Sequence, residues 1–175
     1  MQFFRAVRIL LLLATFTGCG YTTGNLLPSH FRTIYVEAIE NKVDFTTESL
    51  RELYIPQLEL RVRDQIIDRF LFDGHLRVAE DDQADLVLKG QLIAYQRDDL
   101  RLTANDDVQE FRIRVLVSLK LYDPAHDQVI WEEPSFEGST EYFTVGSQAI
   151  SESEAIERAL TDLSRRVVER TIEDW

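Results

Sequence analysis

The only cysteine of the chain, Cys19, lies between Gly18 and Gly20 just after an apolar run. Without a second cysteine it forms no intramolecular disulfide, and the histidines lie too far apart for the usual spacing of zinc ligands. The three histidines are His30, His75 and His126. The chemistry left to this thiol is the covalent attachment of another group.

The residues before Cys19 have the layout of a secretory signal. Arg5 and Arg8 form a basic start, Ile9–Phe16 is apolar, and two small residues precede the cysteine. A membrane-spanning helix needs roughly 20 apolar residues, so this run is too short for a permanent span.

The sequence Phe-Thr-Gly-Cys at positions 16–19 resembles a bacterial lipobox, in which the cysteine becomes the acylated first residue of the mature protein. It departs from the usual motif because Phe16 replaces a leucine. The alternative is an ordinary signal peptide with an incidental buried cysteine. The polar, glycine-containing Tyr21–Asn25 instead indicates a tether. We therefore expect N-acyl and S-diacylglycerol groups on Cys19 and no other cofactor.

The chain divides into three predicted parts, with no internal repeat and no low-complexity segment. Residues 1–18 form a lipoprotein signal peptide, residues 19–30 a lipidated tether, and residues 31–175 a single α+β domain. Without the signal peptide, 17 basic and 31 acidic side chains remain, a formal net charge of −14. Such a domain lacks the basic surface of a nucleic-acid-binding protein. An anionic bilayer surface would also repel it, so its membrane attachment must come from the lipid.

The hydrophobic pattern of the domain predicts the order β-α-β-β-β-α. We expect a two-layer α+β sandwich in which two helices cover one face of a mostly antiparallel four-stranded sheet. Pro134 cannot donate a ladder hydrogen bond, which places the last strand at an edge or at a bulge. The predicted elements are a strand at 31–39, a helix from Pro56 to Gly74, strands at 75–98 (interrupted by a turn), 111–122 and 129–143, and a helix from Ser151.

Two apolar stripes in this pattern make specific predictions about burial. In the first helix Leu58, Val62, Ile66 and Phe70 recur every four residues, and Ile67 and Leu71 widen the stripe. In the strand that follows, alternation predicts four core residues on one face. They are Leu86, Leu88, Leu92 and Ala94.

No set of residues has the spacing of an active site. The serines lack a nucleophile elbow, and no glycine-rich phosphate loop is present. The acidic pairs fall in predicted turns, where turn chemistry explains them, and Asp98–Asp107 lacks the spacing of an EF-hand. The sequence therefore predicts a protein that is not an enzyme.

The face of the sheet away from the helices is the predicted binding surface. Alternation places apolar side chains there among a group of cations, on a protein that is otherwise strongly acidic. Arginine suits phosphate contacts and apolar side chains suit acyl chains, so this face could dock a partner or an anionic amphiphile. The alternative is that the cations only pair with acidic neighbours across strands. The apolar residues are Val87, Ile93, Tyr95 and Leu116, and the cations are Lys89, Arg97, Arg112, Arg114 and Lys120.

From Cys19 to its end, the chain resembles the lipopolysaccharide-assembly (LptE-like) lipoprotein family. The resemblance is carried by "GCGY", "LPSHFRTIYV" with "EAIEN", the helix "PQLELRVRDQIIDRFLFDGHLRV", the strand "ADLVLKGQLIAY", the pair "VLVSLKLYD" and "VIW", and a closing helix ending in Trp175. It implies a lipid-anchored outer-membrane protein that faces the periplasm. It also implies that the protein assembles and plugs a β-barrel partner and contacts lipopolysaccharide, without catalysis.

Two details accompany this resemblance. Gly20 after the cysteine, where aspartate is absent, fits sorting to the outer membrane in the lipoproteins that the chain resembles. A different role with the same anchor and fold is an accessory lipoprotein of another envelope transport or secretion complex. Co-purification with a barrel, as opposed to an inner-membrane complex, separates the two.

Overall fold

The computed structural model describes residues 27–44, 55–102 and 107–173. Cys19, the signal peptide, most of the tether and Trp175 lie outside these residues. The described part contains two helices and six strands. The elements are β1 (Thr33–Val36), β2 (Glu40–Asn41), α1 (Leu58–Asp73), β3 (Arg77–Val78), β4 (Leu86–Leu102), β5 (Val108–Asp123), β6 (Gln128–Phe143) and α2 (Glu152–Glu173), with a 3₁₀ turn at Asp81–Gln83.

The sheet is mixed, and this corrects the expected four-stranded, mostly antiparallel sheet. Its order is β3-β1-β4-β5-β6, with β2 also beside β4. The pairs β4–β5 and β5–β6 are antiparallel, whereas β1 runs parallel to β3 and β4. The parallel pairs arise because α1 carries the chain back between β1 and β3, and a strand that returns through a helical crossover pairs in parallel. The α+β class and the two helices are confirmed.

Both helices pack on one face of this sheet and form the core with it. The four-residue stripe of α1 is confirmed, because Leu58, Val62, Ile66 and Phe70 are all buried. The widening of that stripe is wrong at Leu71, whose side chain is 61% exposed. The matching face of β5 is buried from Ile113 onward and alternates with a partly exposed face.

The ends of the helices follow the expected caps. Gly74 adopts φ 79°, which glycine tolerates, and its N–H donates to the Phe70 carbonyl to close α1. The Ser151 hydroxyl accepts the Glu154 N–H at 3.1 Å and caps the start of α2. The expectation for Pro134 is also confirmed, since β6 is an edge strand whose register shifts between Glu133 and Phe136.

A bulge at Ile93 reverses the alternation of β4. Leu92 opposes Val117 of β5, but the next paired residue is Ala94, opposite Leu116. The inserted residue turns the side chains from Ala94 to Asp99 to the other face, until the register shifts again after Asp99. The prediction that Ala94 shares the core face of Leu92 is therefore wrong.

Asp85 fixes the register of β1 against β4 through one carboxylate oxygen. Its Oδ2 atom accepts the N–H groups of Arg32 at 2.8 Å and Thr33 at 3.0 Å, and the Thr33 hydroxyl at 2.8 Å. Burial raises the pKa of Asp85, but these hydrogen bonds outweigh it and hold the pKa below its usual value. The ionised carboxylate thus stabilises the folded state.

Replacing Asp85 by alanine is expected to lower the free energy of unfolding at pH 7 by about 1–3 kcal/mol, since it leaves charge-assisted bonds unmade. A depressed folded pKa gives stability that is present above the unfolded pKa and is lost as pH falls through the folded one. The difference from wild type should therefore shrink below about pH 4. Urea unfolding at several pH values measures it, with the exposed Asp82→Ala as control. An equal, pH-independent loss in both variants would contradict this role.

Candidate functional site

The sheet face opposite the helices, here called the open face, carries four of the five predicted binding cations. They are Lys89 on β4 and Arg112, Arg114 and Lys120 on β5. Lys89 and Lys120 lie directly opposite each other in the β4–β5 ladder. Like charges in that position repel, so a compensating negative charge is needed beside them.

Carboxylates flank this lysine pair on both sides. Glu37 lies 3.6 Å from the Lys89 ammonium, and Glu132 lies 3.3 Å from the Lys120 ammonium. The result is a row of four charged side chains across the sheet, in the order Glu37, Lys89, Lys120 and Glu132. We call it the lysine row. The same four side chains line an open groove of about 400 Å³. Glu40 lines the same groove, so three carboxylates and two ammonium groups face an entering ligand.

The two arginines form a second charged group further along the open face. Arg114 donates to Asp98 at 2.9 Å through Nε. Arg112 donates to Glu141 of β6 at 3.1 Å through Nε, and this hydrogen bond raises the pKa of Arg112. Cross-strand pairing therefore accounts for these cations within the fold. Ligand binding by Lys89, Lys120, Arg112 and Arg114 stays a prediction.

Arg97 does not belong to this face, which corrects its predicted placement. The bulge at Ile93 turns it toward the helices, where it donates to Glu152 of α2 at 2.9 Å and lies 5.1 Å from the ring centre of Phe111. Tyr95 turns with it and is only 4% exposed. Its hydroxyl donates to Glu152 at 2.7 Å. Burial, followed by that bond, raises the pKa of Tyr95.

The apolar part of the open face is smaller than predicted. Val87 is only 6% exposed and Tyr95 has left the face, so Ile93, at 37% exposed, and the half-buried Leu116 remain. The open face is therefore a charged surface with a small apolar centre. Each of its four cations is paired with a carboxylate, so an anionic ligand would have to compete with these ion pairs.

A feature that the sequence pattern did not reveal protects the free edge of β6. Asp162 and Arg166 lie one turn apart on α2. Asp162 accepts the Ser139 N–H at 3.2 Å, and Arg166 donates to the Glu137 carbonyl. These bonds satisfy outward-facing backbone groups of an edge strand that would otherwise be open to pairing with another chain. The available signal was Gly138 inside a strand, which marks a close backbone approach.

The described residues hold no other clear chemical centre. Among them, no three histidine, cysteine, aspartate or glutamate side chains cluster as metal ligands. None of the described helices is both long and apolar enough to cross a membrane.

Comparison with known proteins gives one family and a set of similar folds. Residues 31–171 match the family model LptE, described as lipopolysaccharide-assembly. No curated protein sequence matches the chain.

Three similar solved structures share the fold at low sequence identity. A hypothetical protein from Chlamydia trachomatis has a TM-score of 0.56 and 13% identity, over 80% of this chain and 95% of that one. A protein from Xanthomonas campestris has a TM-score of 0.54 and 14% identity, over 80% and 83%. The PelC dodecamer from Paraburkholderia phytofirmans has a TM-score of 0.51 and 15% identity, over 86% and 95%.

Proposed function

We propose a role for this chain from its family, since it belongs to the LptE lipopolysaccharide-assembly family. In this role it is the lipid-anchored partner of an outer-membrane β-barrel, and the barrel delivers lipopolysaccharide. The observation that carries this proposal is the family match over residues 31–171. The match spans the six strands and two helices of the described domain and leaves out only the last two residues of α2. The family's role is assembly and not catalysis.

The proposed anchor is Cys19, with the domain facing the periplasm. The basic start, the apolar run and the lipobox-like Phe16–Cys19 support it, as does the polar tether that follows. Two or more acyl chains give stable attachment, because each buried CH₂ contributes about 0.8 kcal/mol. The chain between Cys19 and the buried Leu27 then holds the domain beside its membrane partner.

The proposed contact with lipopolysaccharide lies on the open face. Lipopolysaccharide is an anionic amphiphile, and its phosphates would displace Glu37 and Glu132 from the two ammonium groups of Lys89 and Lys120. Arg112 and Arg114 add guanidinium groups, which bind phosphate through two parallel hydrogen bonds. Ile93 and Leu116 lie between these groups and suit an acyl chain. The four cations and these two apolar residues form one connected surface.

Affinity purification of the tagged chain from envelope membranes tests the barrel partner. We expect an outer-membrane β-barrel protein close to one-to-one with the chain, together with lipopolysaccharide. Recovery of the chain as a free monomer would contradict the proposal. Recovery with an inner-membrane complex would favour an accessory role in another envelope system.

The double variant Arg112→Glu/Arg114→Glu tests the lipopolysaccharide contact. We expect it to weaken lipopolysaccharide binding at least about tenfold, which is about 1.4 kcal/mol, while the barrel still co-purifies. Both side chains are at least one-third exposed, so the domain should keep its fold. The matched control, Arg61→Glu/Arg158→Glu, makes the same charge change on the helix side. Equal losses in both variants would mean that only total charge matters and would remove this surface as the site.

A further inference from the structure

The last turn of α1 exposes two large apolar side chains that the core does not use. Leu71 is 61% exposed and Phe72 is 81% exposed, the highest value among the exposed large apolar residues of the described chain. The Arg69 guanidinium lies 5.2 Å from the ring centre of Phe72. An aromatic ring beside a leucine and an arginine is a typical composition of a membrane-interface anchor.

This turn lies at the end of the domain where the tether enters. The chain leaves α1 at Asp73 and reaches β3 within a few residues, where the Arg77 N–H donates to the Arg32 carbonyl at 2.9 Å. Arg77 also opposes Thr33, the first residue of β1. The chain therefore enters the sheet next to the end of α1, and Leu27, six residues before Thr33, is already buried in the core.

The length of the tether fixes which end of the domain stays near the membrane. Leu27 is eight positions after Cys19, and a fully extended chain spans at most about 3.3–3.6 Å per residue, so the reach is below about 30 Å. Strand β5 has 16 residues and runs roughly 50 Å. A lipid on Cys19 therefore keeps the end of the domain that carries Leu71 and Phe72 close to the bilayer. The opposite end of the sheet is too far from Cys19 to reach the bilayer in its place.

We propose that Leu71 and Phe72 insert into the headgroup region of the phospholipid surface to which Cys19 is anchored, and so orient the domain. This inference rests on the proposed lipid anchor. The insertion is apolar and does not depend on anionic lipid, because the exposed acidic residues Asp81 and Asp82 lie at the same end of the domain. The expected target is a zwitterionic phospholipid surface, and the contact should depend little on ionic strength.

Depth-dependent fluorescence quenching tests the insertion. The chain beginning at Cys19 keeps every described residue, and its single thiol is coupled to a maleimide phospholipid in phosphatidylcholine–phosphatidylethanolamine vesicles. A Phe72→Trp variant reports contact through quenching by brominated phospholipid, above the signal of the native tryptophans. The matched control is Leu60→Trp, at an exposed position 12 residues earlier on α1, about 18 Å away along the helix axis.

The expected result is several-fold stronger quenching for Phe72→Trp than for Leu60→Trp, at low and at high salt. A Leu71→Trp variant should repeat it. Equal quenching at positions 60 and 72 would overturn the proposal. A quenching difference that disappears when the protein is diluted to the monomer would also overturn it, because Leu71 and Phe72 would then contact a second copy of the chain. Mass spectrometry of Cys19 from cells tests the natural anchor separately, because chemical coupling supplies the lipid in this experiment.

Discussion

Replacing Gly138 by alanine is expected to lower the free energy of unfolding by about 3 kcal/mol, the upper part of the range for overpacked cores, or more. For a chain of this size the melting temperature should fall by roughly 6–12 °C. A single methyl group has this effect because Gly138 is where α2 rests on the edge strand β6.

The cost arises because the atoms that meet the new methyl group are two backbone atoms of α2 and a Cβ held rigidly by that backbone. A Cβ on Gly138 would lie 2.4 Å from the Leu163 Cβ, 2.6 Å from the Ala159 carbonyl oxygen and 2.7 Å from the Leu163 nitrogen. None of these atoms moves without lifting the helix from the sheet. Lifting it also breaks the bonds from Asp162 and Arg166 that protect the edge of β6.

Gly90→Ala is the matched control, since Gly90 lies in a strand of the same sheet. A Cβ there would also be close to its neighbours, 2.6 Å from the Ile39 Cδ1 and 2.9 Å from the Leu119 Cδ2. These atoms are the ends of flexible side chains, so the expected loss is below about 1 kcal/mol. Urea unfolding of both variants measures the difference. Similar losses at the two glycines would show that α2 is not seated on Gly138 as described.

Gly138 and Ile93 show what hydrophobic alternation could not predict. Alternation identifies the buried face of a strand only while the strand stays regular, as β5 does from Ile113 to Leu121. The bulge at Ile93 changes the face of the residues from Ala94 to Asp99 without any local change in composition. Alternation alone therefore places Arg97 on the open face with the other cations, whereas in the structure it donates to Glu152 at the start of α2.

The two ends of the sheet differ in predictability for a physical reason. Hairpins pair neighbouring segments, so the antiparallel β4–β5–β6 unit follows from local turns and periodicity. The pairs of β1 with β3 and β4 join residues more than 40 positions apart, and strands as short as Arg77–Val78 carry almost no periodic signal. Their register depends on Asp85, a single side chain whose role appears only once the strands are adjacent.

The Cys19→Ser variant is expected to lose its acyl anchor, and to accumulate either as a cleaved soluble form or as an uncleaved precursor held only by its signal peptide. A serine hydroxyl cannot take the thioether-linked diacylglycerol that the lipobox-like sequence predicts for this position. The acidic domain offers little to replace it, because a net charge of −14 after residue 18 is repelled by anionic lipid. Fractionation of cells with and without high salt measures the distribution.

Phe16→Leu is the control for this experiment, because it keeps the thiol and places the usual lipobox residue three positions before it. We expect it to be processed at least as completely as wild type and to stay in the membrane fraction. If Cys19→Ser is cleaved normally and still partitions with membranes, the anchor is not Cys19.

Two exposed side chains at the end of α1 bury far fewer CH₂ groups than two acyl chains. Leu71 and Phe72 can therefore orient a domain that is already held at the membrane, but cannot hold it there without the lipid on Cys19.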